Sequence, residues 1–135
     1  MTAPQAPAKP RVAVVEDNAD SALLAKASLS QYFDVDIYTS GEAALAAFVD
    51  FPPIAIVLDI GLRGMDGVQV LRGIRENPAL AKVPVIAMTA YTTDGIKERF
   101  IELGFDRYVA KPLQTPEQLL KAVTSAIKQR LTSPI

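Results

Sequence analysis

Five side chains in this sequence can do chemistry together: the acidic pair Glu16-Asp17, then Asp59, Thr89 and Lys111. Three carboxylates in one cleft repel one another and call for a cation. Hard oxygen donors with room for water suit Mg²⁺, with Mn²⁺ as a substitute. The chain has no histidine and no cysteine, so the commonest general base, the commonest nitrogen ligand and all thiol chemistry are missing. Any metal held here takes oxygen. A threonine hydroxyl and a lysine ammonium beside such a cation make a place for a phosphoryl group, with metal on one side and ammonium on the other. Phosphoryl transfer asks mainly for positioning and charge neutralisation. The nucleophile in such a site is a carboxylate, and Asp59 is the best placed to form an acyl phosphate. No Walker-type glycine loop is present, so nucleotide binding is not indicated.

Taken singly, each residue has an ordinary reading. Asp59 can cap a turn, Glu16-Asp17 a helix; Thr89 can be a turn residue and Lys111 a solvated lysine. The elements that position them decide the matter. Arg11-Val-Ala-Val-Val15 reads as a buried strand ending at Glu16-Asp17. Ile54-Ala-Ile-Val-Leu58 runs straight into Asp59 and then into a glycine-rich turn, Gly61 to Gly67. Val83 to Met88 ends at Thr89, and Arg107-Tyr-Val-Ala110 ends at Lys111. Short apolar runs of this kind suit strands buried on both faces. Asp34-Val-Asp-Ile-Tyr38 alternates polar and apolar residues and reads as an edge strand.

Helices are expected between the strands. The first, capped by Asp17 or Asn18, runs to about Gln31 with Leu23, Leu24 and Ala27 facing inward. The second is capped by Ser40 and carries Ala44, Leu45 and Phe48. The third carries Val68, Leu71 and Ile74 and closes at Asn77-Pro78. The fourth opens at Thr92 or Thr93, carries Ile96, Phe100 and Leu103, and stops at Gly104. The fifth begins at a capping box, Thr115-Pro-Glu-Gln118, presents Leu119, Leu120, Val123, Ala126 and Ile127, and ends near Arg130. Strands alternating with helices imply an α/β, doubly wound, five-stranded parallel sheet with right-handed crossovers. In the order 2-1-3-4-5, flavodoxin-like, the reversal lies between strands one and three, so Asp17 and Asp59 flank the ligand crevice.

This combination resembles the receiver domain of two-component response regulators. The resemblance covers roughly residues 11–130 and rests on the acidic pair after strand one, Asp59 before the Met65-Asp66-Gly67 turn, Thr89-Ala90 after strand four and Lys111-Pro112 after strand five. It implies that Asp59 accepts a phosphoryl group from a phosphohistidine on a sensor histidine kinase or histidine phosphotransfer protein. It implies Mg²⁺ held by Asp17, Asp59 and the Gly61 carbonyl, with Glu16 acting mainly through water. Thr89, the Ala90 N–H and Lys111 would hold phosphoryl oxygens, Lys111–Pro112 would be cis, and Thr89 with Tyr108 would form a rotamer switch. Output would be a protein contact through helix four, strand five and helix five, where Lys97, Arg107 and Lys121 surround Tyr108; pairing of two copies through that face is compatible with the family. Such a domain catalyses only its own phosphorylation and dephosphorylation.

The sequence departs from the family at Arg63, where proline is usual, and at Glu16, where aspartate is common. Gly61 and Tyr91 cannot orient an attacking water as an amide or carboxylate does, so slow self-dephosphorylation is expected. The enzyme-class alternative, a haloacid-dehalogenase-type phosphohydrolase, needs a second Asp where Gly61 stands.

At 135 residues, half of them apolar, the chain suits one domain with a real core. Residues 1–10, with three prolines and three alanines, read as a disordered tail; 11–130 form the domain and 131–135 a short tail. A net charge of −1 argues against a nucleic-acid or membrane-surface partner. No run reaches the ~20 apolar residues of a membrane span, and the N-terminus has no apolar signal core, so a cytoplasmic place is expected. Only five residues follow residue 130, so no attached output domain is expected, and either a stand-alone receiver or one belonging to a larger hybrid kinase fits.

Overall fold

Five parallel strands form one sheet in the order β2-β1-β3-β4-β5, as the flavodoxin-like reading expects. The structure is a computed structural model that describes residues 9–90 and 94–132. Most of the expected N-terminal tail, the expected helix caps Thr92 and Thr93, and Tyr91 lie outside the described residues. The elements run β1 (Arg11–Val15), α1 (Ala19–Leu29), β2 (Asp34–Tyr38), α2 (Gly41–Asp50), β3 (Ala55–Asp59), α3 (Gly67–Glu76), β4 (Val85–Thr89), α4 (Ile96–Leu103), β5 (Arg107–Ala110) and α5 (Pro116–Thr132).

Each central strand sends alternate side chains to opposite faces, as pleating requires. Val12 and Val14 pack with Ala25, Leu29, Leu119, Val123 and Ala126 from α1 and α5. Ala13 and Val15 pack with Ala44, Phe48, Val70, Leu71 and Ile74 from α2 and α3. All five residues of β3, and all five of β4, are buried. This is why the runs are apolar without alternation. The edge strand β2 buries only Val35 fully.

The first helix corrects its expected inward face. Ala22, Ala25, Ser28 and Leu29 are buried, whereas Leu23 and Leu24 are 61% and 54% exposed and Ala27 is exposed too. Asn18 supplies the cap, accepting from the Ser21 N–H at 2.9 Å, and this fixes the helix phase. The phase turns small residues toward the sheet and α5, allowing close approach. The helix also stops at Leu29, two residues before Gln31, where the Ser30 hydroxyl and N–H both bond back to the Lys26 carbonyl. Two other apolar positions shift. Ile54 precedes β3 and is exposed, and Leu103 at the end of α4 is exposed while Phe100 is buried.

Ser40 caps α2 and Asp66 caps α3 with a reciprocal bond from Gln69. Gly104 ends α4 in the left-handed region, with φ of 113°. At the start of α5, Gln118 Oε1 accepts from the Gln114 and Thr115 N–H groups at 2.7 and 3.2 Å. Among the described residues no helix is long and apolar enough to cross a membrane.

Candidate functional site

The carboxyl ends of β1, β3, β4 and β5 meet at one edge of the sheet. The parallel register sets Val15 beside Leu58, Asp59 beside Met88 and Thr89 beside Ala110. Beyond the strand ends the ladder continues by single bonds. Glu16 N–H donates to the Tyr38 carbonyl at 2.9 Å, Ile60 N–H to Met88 at 3.1 Å and Lys111 N–H to Thr89 at 2.8 Å. Glu16, Asp59, Thr89 and Lys111 are therefore carried by backbone already locked into the sheet, whereas Asp17 stands in the loop between β1 and α1.

One carboxylate oxygen from each of Glu16, Asp17 and Asp59 lies within 4.8 Å of the others. Glu16 is fully buried, Asp59 is 6% exposed, and Asp17 stands at the more open rim. Because Asn18 rather than Asp17 caps α1, the Asp17 carboxylate stays at the cleft, where its Oδ2 accepts from the Arg63 N–H at 3.1 Å. Thr89 is 1% exposed at the end of β4, and Ala90 follows at the surface. The Lys111–Pro112 bond is cis, as expected.

Lys111 is paired within the acidic cluster rather than solvated. Its Nζ pairs closely with Glu16 Oε1 and lies 3.2 Å from Asp59 Oδ2. Burial opposes the charge on Lys111, but the two carboxylates outweigh it and raise its pKa. Burial and the nearby Asp59 push Glu16 up to about 7 against the pull of Lys111. Burial also acts to raise Asp59, yet Glu16, the Gly61 N–H and Lys111 together bring it below the ordinary value. Asp59 is thus the carboxylate held as an anion, with Gly61 N–H on Oδ1 at 2.9 Å and Lys111 toward Oδ2.

The donor set fits a hard cation. It offers only carboxylate oxygens, and Glu16 Oε2 is buried with no hydrogen-bond partner among the described residues. A buried carboxylate oxygen left unpaired is costly, and a bound cation would satisfy it.

Tyr108 is half-buried and stacks on Phe100 of α4, ring centroids 6.0 Å apart. Arg107, grouped by sequence with the output-face charges, is half-buried and bonds the Ser125 hydroxyl at 3.1 Å and the Asp106 carbonyl at 2.7 Å. Lys97 and Lys121 are exposed.

Sequence reasoning passed over Glu42. Its Oε1 accepts from the Met65 N–H at 3.3 Å, tying α2 to the loop that follows Asp59. A glutamate in the first turn of a helix normally reads as a partner for the helix dipole, so nothing in the spacing marked it. The same loop contains Gly64 in the left-handed region, φ 71°.

A 2-1-3-4-5 sheet with an acidic cluster, a buried threonine and a lysine at its carboxyl edge defines the receiver fold. The chain belongs to the response regulator receiver domain family, whose pattern matches residues 12–124. It is 31% identical over 129 residues to the phosphate regulon transcriptional regulatory protein PhoB of Rhizobium meliloti, covering 93% of this chain and 57% of that protein. It is 33% identical over 125 residues to hybrid signal transduction histidine kinase I of Dictyostelium discoideum, covering 87% of this chain and 7% of that protein. The chain thus spans little more than half of the first relative and a small part of the second. A crystal structure of a response regulator from Chloroflexus aurantiacus superposes with a TM-score of 0.82 at 26% identity, covering 89% of this chain and 98% of that one. The domain is a signalling module rather than a classical enzyme.

Proposed function

We propose that this receiver takes a phosphoryl group onto Asp59 from a phosphohistidine of a sensor histidine kinase or phosphotransfer protein, in the cytoplasm, and signals by a protein contact. The observation that carries the reading is Asp59 itself: a nearly buried carboxylate held ionised, with one oxygen fixed by Gly61 N–H and the other turned to Lys111. An ionised carboxylate is the form that attacks phosphorus.

In the step, an Asp59 oxygen forms a bond to phosphorus while the phosphorus–nitrogen bond of the donor imidazole breaks, its electron pair staying on the imidazole. Glu16, Asp17 and Asp59, with the Gly61 carbonyl, would hold Mg²⁺, which when bound would neutralise phosphoryl charge. Lys111 already lies at Asp59 and moves from Glu16 to a phosphoryl oxygen. The Thr89 hydroxyl and Ala90 N–H take the remaining oxygens. Thr89 and Tyr108, in adjacent strands, are the switch pair, and α4, β5 and α5 are the output face.

Incubation with acetyl phosphate or a kinase in Mg²⁺, followed by intact mass, tests this. The expected result is a gain of one phosphoryl group that Asp59→Asn abolishes. No gain with either donor overturns the reading.

A further inference from the structure

The loop from Ile60 to Asp66 hands alternate backbone N–H groups to three carboxylates, one on β3, one in the β1–α1 loop and one on α2. Gly61 donates to Asp59 Oδ1 at 2.9 Å, Arg63 to Asp17 Oδ2 at 3.1 Å and Met65 to Glu42 Oε1 at 3.3 Å. Two of these acceptors belong to the acidic cluster, so a cation or phosphoryl group there competes with the loop for their oxygens. Glu42 lies outside the cluster and is the acceptor that such competition leaves alone.

The base of Glu42 is rigidly placed. A Cβ on Gly41 would come within 2.3 Å of Val70 Cγ2, so the start of α2 sits tight against α3. The carboxylate lies directly over the turn, where a Cβ on Gly64 would be 3.6 Å from Glu42 Oε1. The turn needs such a hold. Arg63 does not lock φ as a proline would, and Gly64 next to it occupies the left-handed region open to glycine.

We propose that Glu42 is a positioning residue for the loop beside the phosphoacceptor, acting through the Met65 N–H so that Asp59 and Gly61 keep their places when Asp17 turns to its ligand. The inference rests on the phosphoacceptor reading for its purpose, though not for its geometry. A helix-dipole role for Glu42 is the plain alternative, and two variants separate them. Glu42→Gln keeps the acceptor oxygen and loses the charge. Glu42→Asp keeps the charge near the helix start but is one methylene too short to reach Met65.

Amide exchange by NMR, on the metal-free protein, reads the contact. Met65 N–H is expected to exchange roughly three- to tenfold faster in Glu42→Ala and Glu42→Asp, the effect of losing one modest hydrogen bond, and near the wild-type rate in Glu42→Gln. Unchanged amides in the five strands show that the fold is intact. Phosphorylation from acetyl phosphate with Mg²⁺ is expected to slow several-fold in the alanine and aspartate variants and to recover in glutamine. Met65 exchange unaltered by alanine, rescue by aspartate but not glutamine, or faster exchange with an undiminished phosphorylation rate each overturns the inference. If the wild-type protein takes no phosphoryl group, the functional reading fails, and Met65 exchange in the metal-free protein still decides whether Glu42 holds the loop.

Discussion

Glu16 is the residue whose ionisation most directly links this site to pH. Its pKa is raised in the folded state, from 4.5 to about 7, chiefly by burial. Between those values the folded protein binds a proton that the unfolded chain has released. The stability associated with protonated Glu16 is therefore present below about pH 4.5 and is lost as pH rises through about 7. A cation bound by Glu16 favours the ionised form and opposes that loss. Thermal unfolding with and without Mg²⁺ should accordingly show a larger Tm gain at about pH 8 than at about pH 6; an equal gain at both would mean that Glu16 does not share in metal binding. Gly61 carries a second prediction. An added Cβ there meets only Asp59 Oδ1, at an ordinary 3.7 Å, so the backbone admits a side chain. Gly61→Asn should speed loss of the phosphoryl group roughly tenfold by orienting water, a fraction of what a well-placed acid–base group contributes, as followed by the decay of the phosphorylated mass. The five chemical residues were legible in the sequence because each sits where an apolar run stops. The pairing of Lys111 with Glu16 was not, since 95 residues separate them and only side-chain reach decides which carboxylate the ammonium chooses.

Strands were easier to read than helix faces, and the difference is physical. A strand buried on both sides needs no phase, so Val12 to Val15 and Ala55 to Leu58 declare themselves by apolar content alone. A helix must also declare which side faces in. Here α1 has leucines and alanines all around, and tertiary packing selected the small side. Size rather than hydropathy decides that choice, because α1 packs against both the sheet and α5. The β3–α3 loop shows the same rule at closer range. Gly67 opens α3 against the preceding loop, where a Cβ would lie 2.7 Å from Ile60 Cα and 2.8 Å from the Asp59 carbonyl oxygen. Both contacts are backbone, so no rotamer change relieves them. Gly67→Ala should therefore destabilise the domain by about 1–3 kcal/mol, the usual cost of overpacking, despite alanine's better helix propensity of roughly 1 kcal/mol. Urea unfolding measures it, and a neutral or stabilising result would show that α3 can shift away from the loop.

Across the whole molecule, the site at the carboxyl edge has a structural counterpart at the amino edge. Arg75 of α3 donates to the Ala81, Val83 and Gly104 carbonyls and to Asp106 Oδ2, at 2.7–3.1 Å. Asp106 also accepts from the Val85 N–H at 2.8 Å and from Arg130 Nε of α5 at 2.8 Å. One carboxylate thus joins β4, α3 and α5 just ahead of β5. These partners lie far apart in sequence, so spacing gave no sign of the cluster. The energetics separate its members. Arg130 is a third exposed, and a pair of that kind contributes at most about 1 kcal/mol, so Arg130→Ala should change stability little. Asp106→Ala removes the acceptor of a fully buried Val85 N–H, a loss of about 1–3 kcal/mol. It also leaves the Arg75 guanidinium without its counter-charge. Breaking a buried pair costs about 3–5 kcal/mol, but three carbonyls still accept from Arg75 and the pair is partly exposed, so the total should fall near 3 kcal/mol. Urea unfolding of the two variants should rank them in that order. Because Asp106 stands at the edge opposite Asp59, the folded fraction of Asp106→Ala should still accept a phosphoryl group at the wild-type rate; a matching loss of phosphorylation would mean that the two edges of the sheet are coupled.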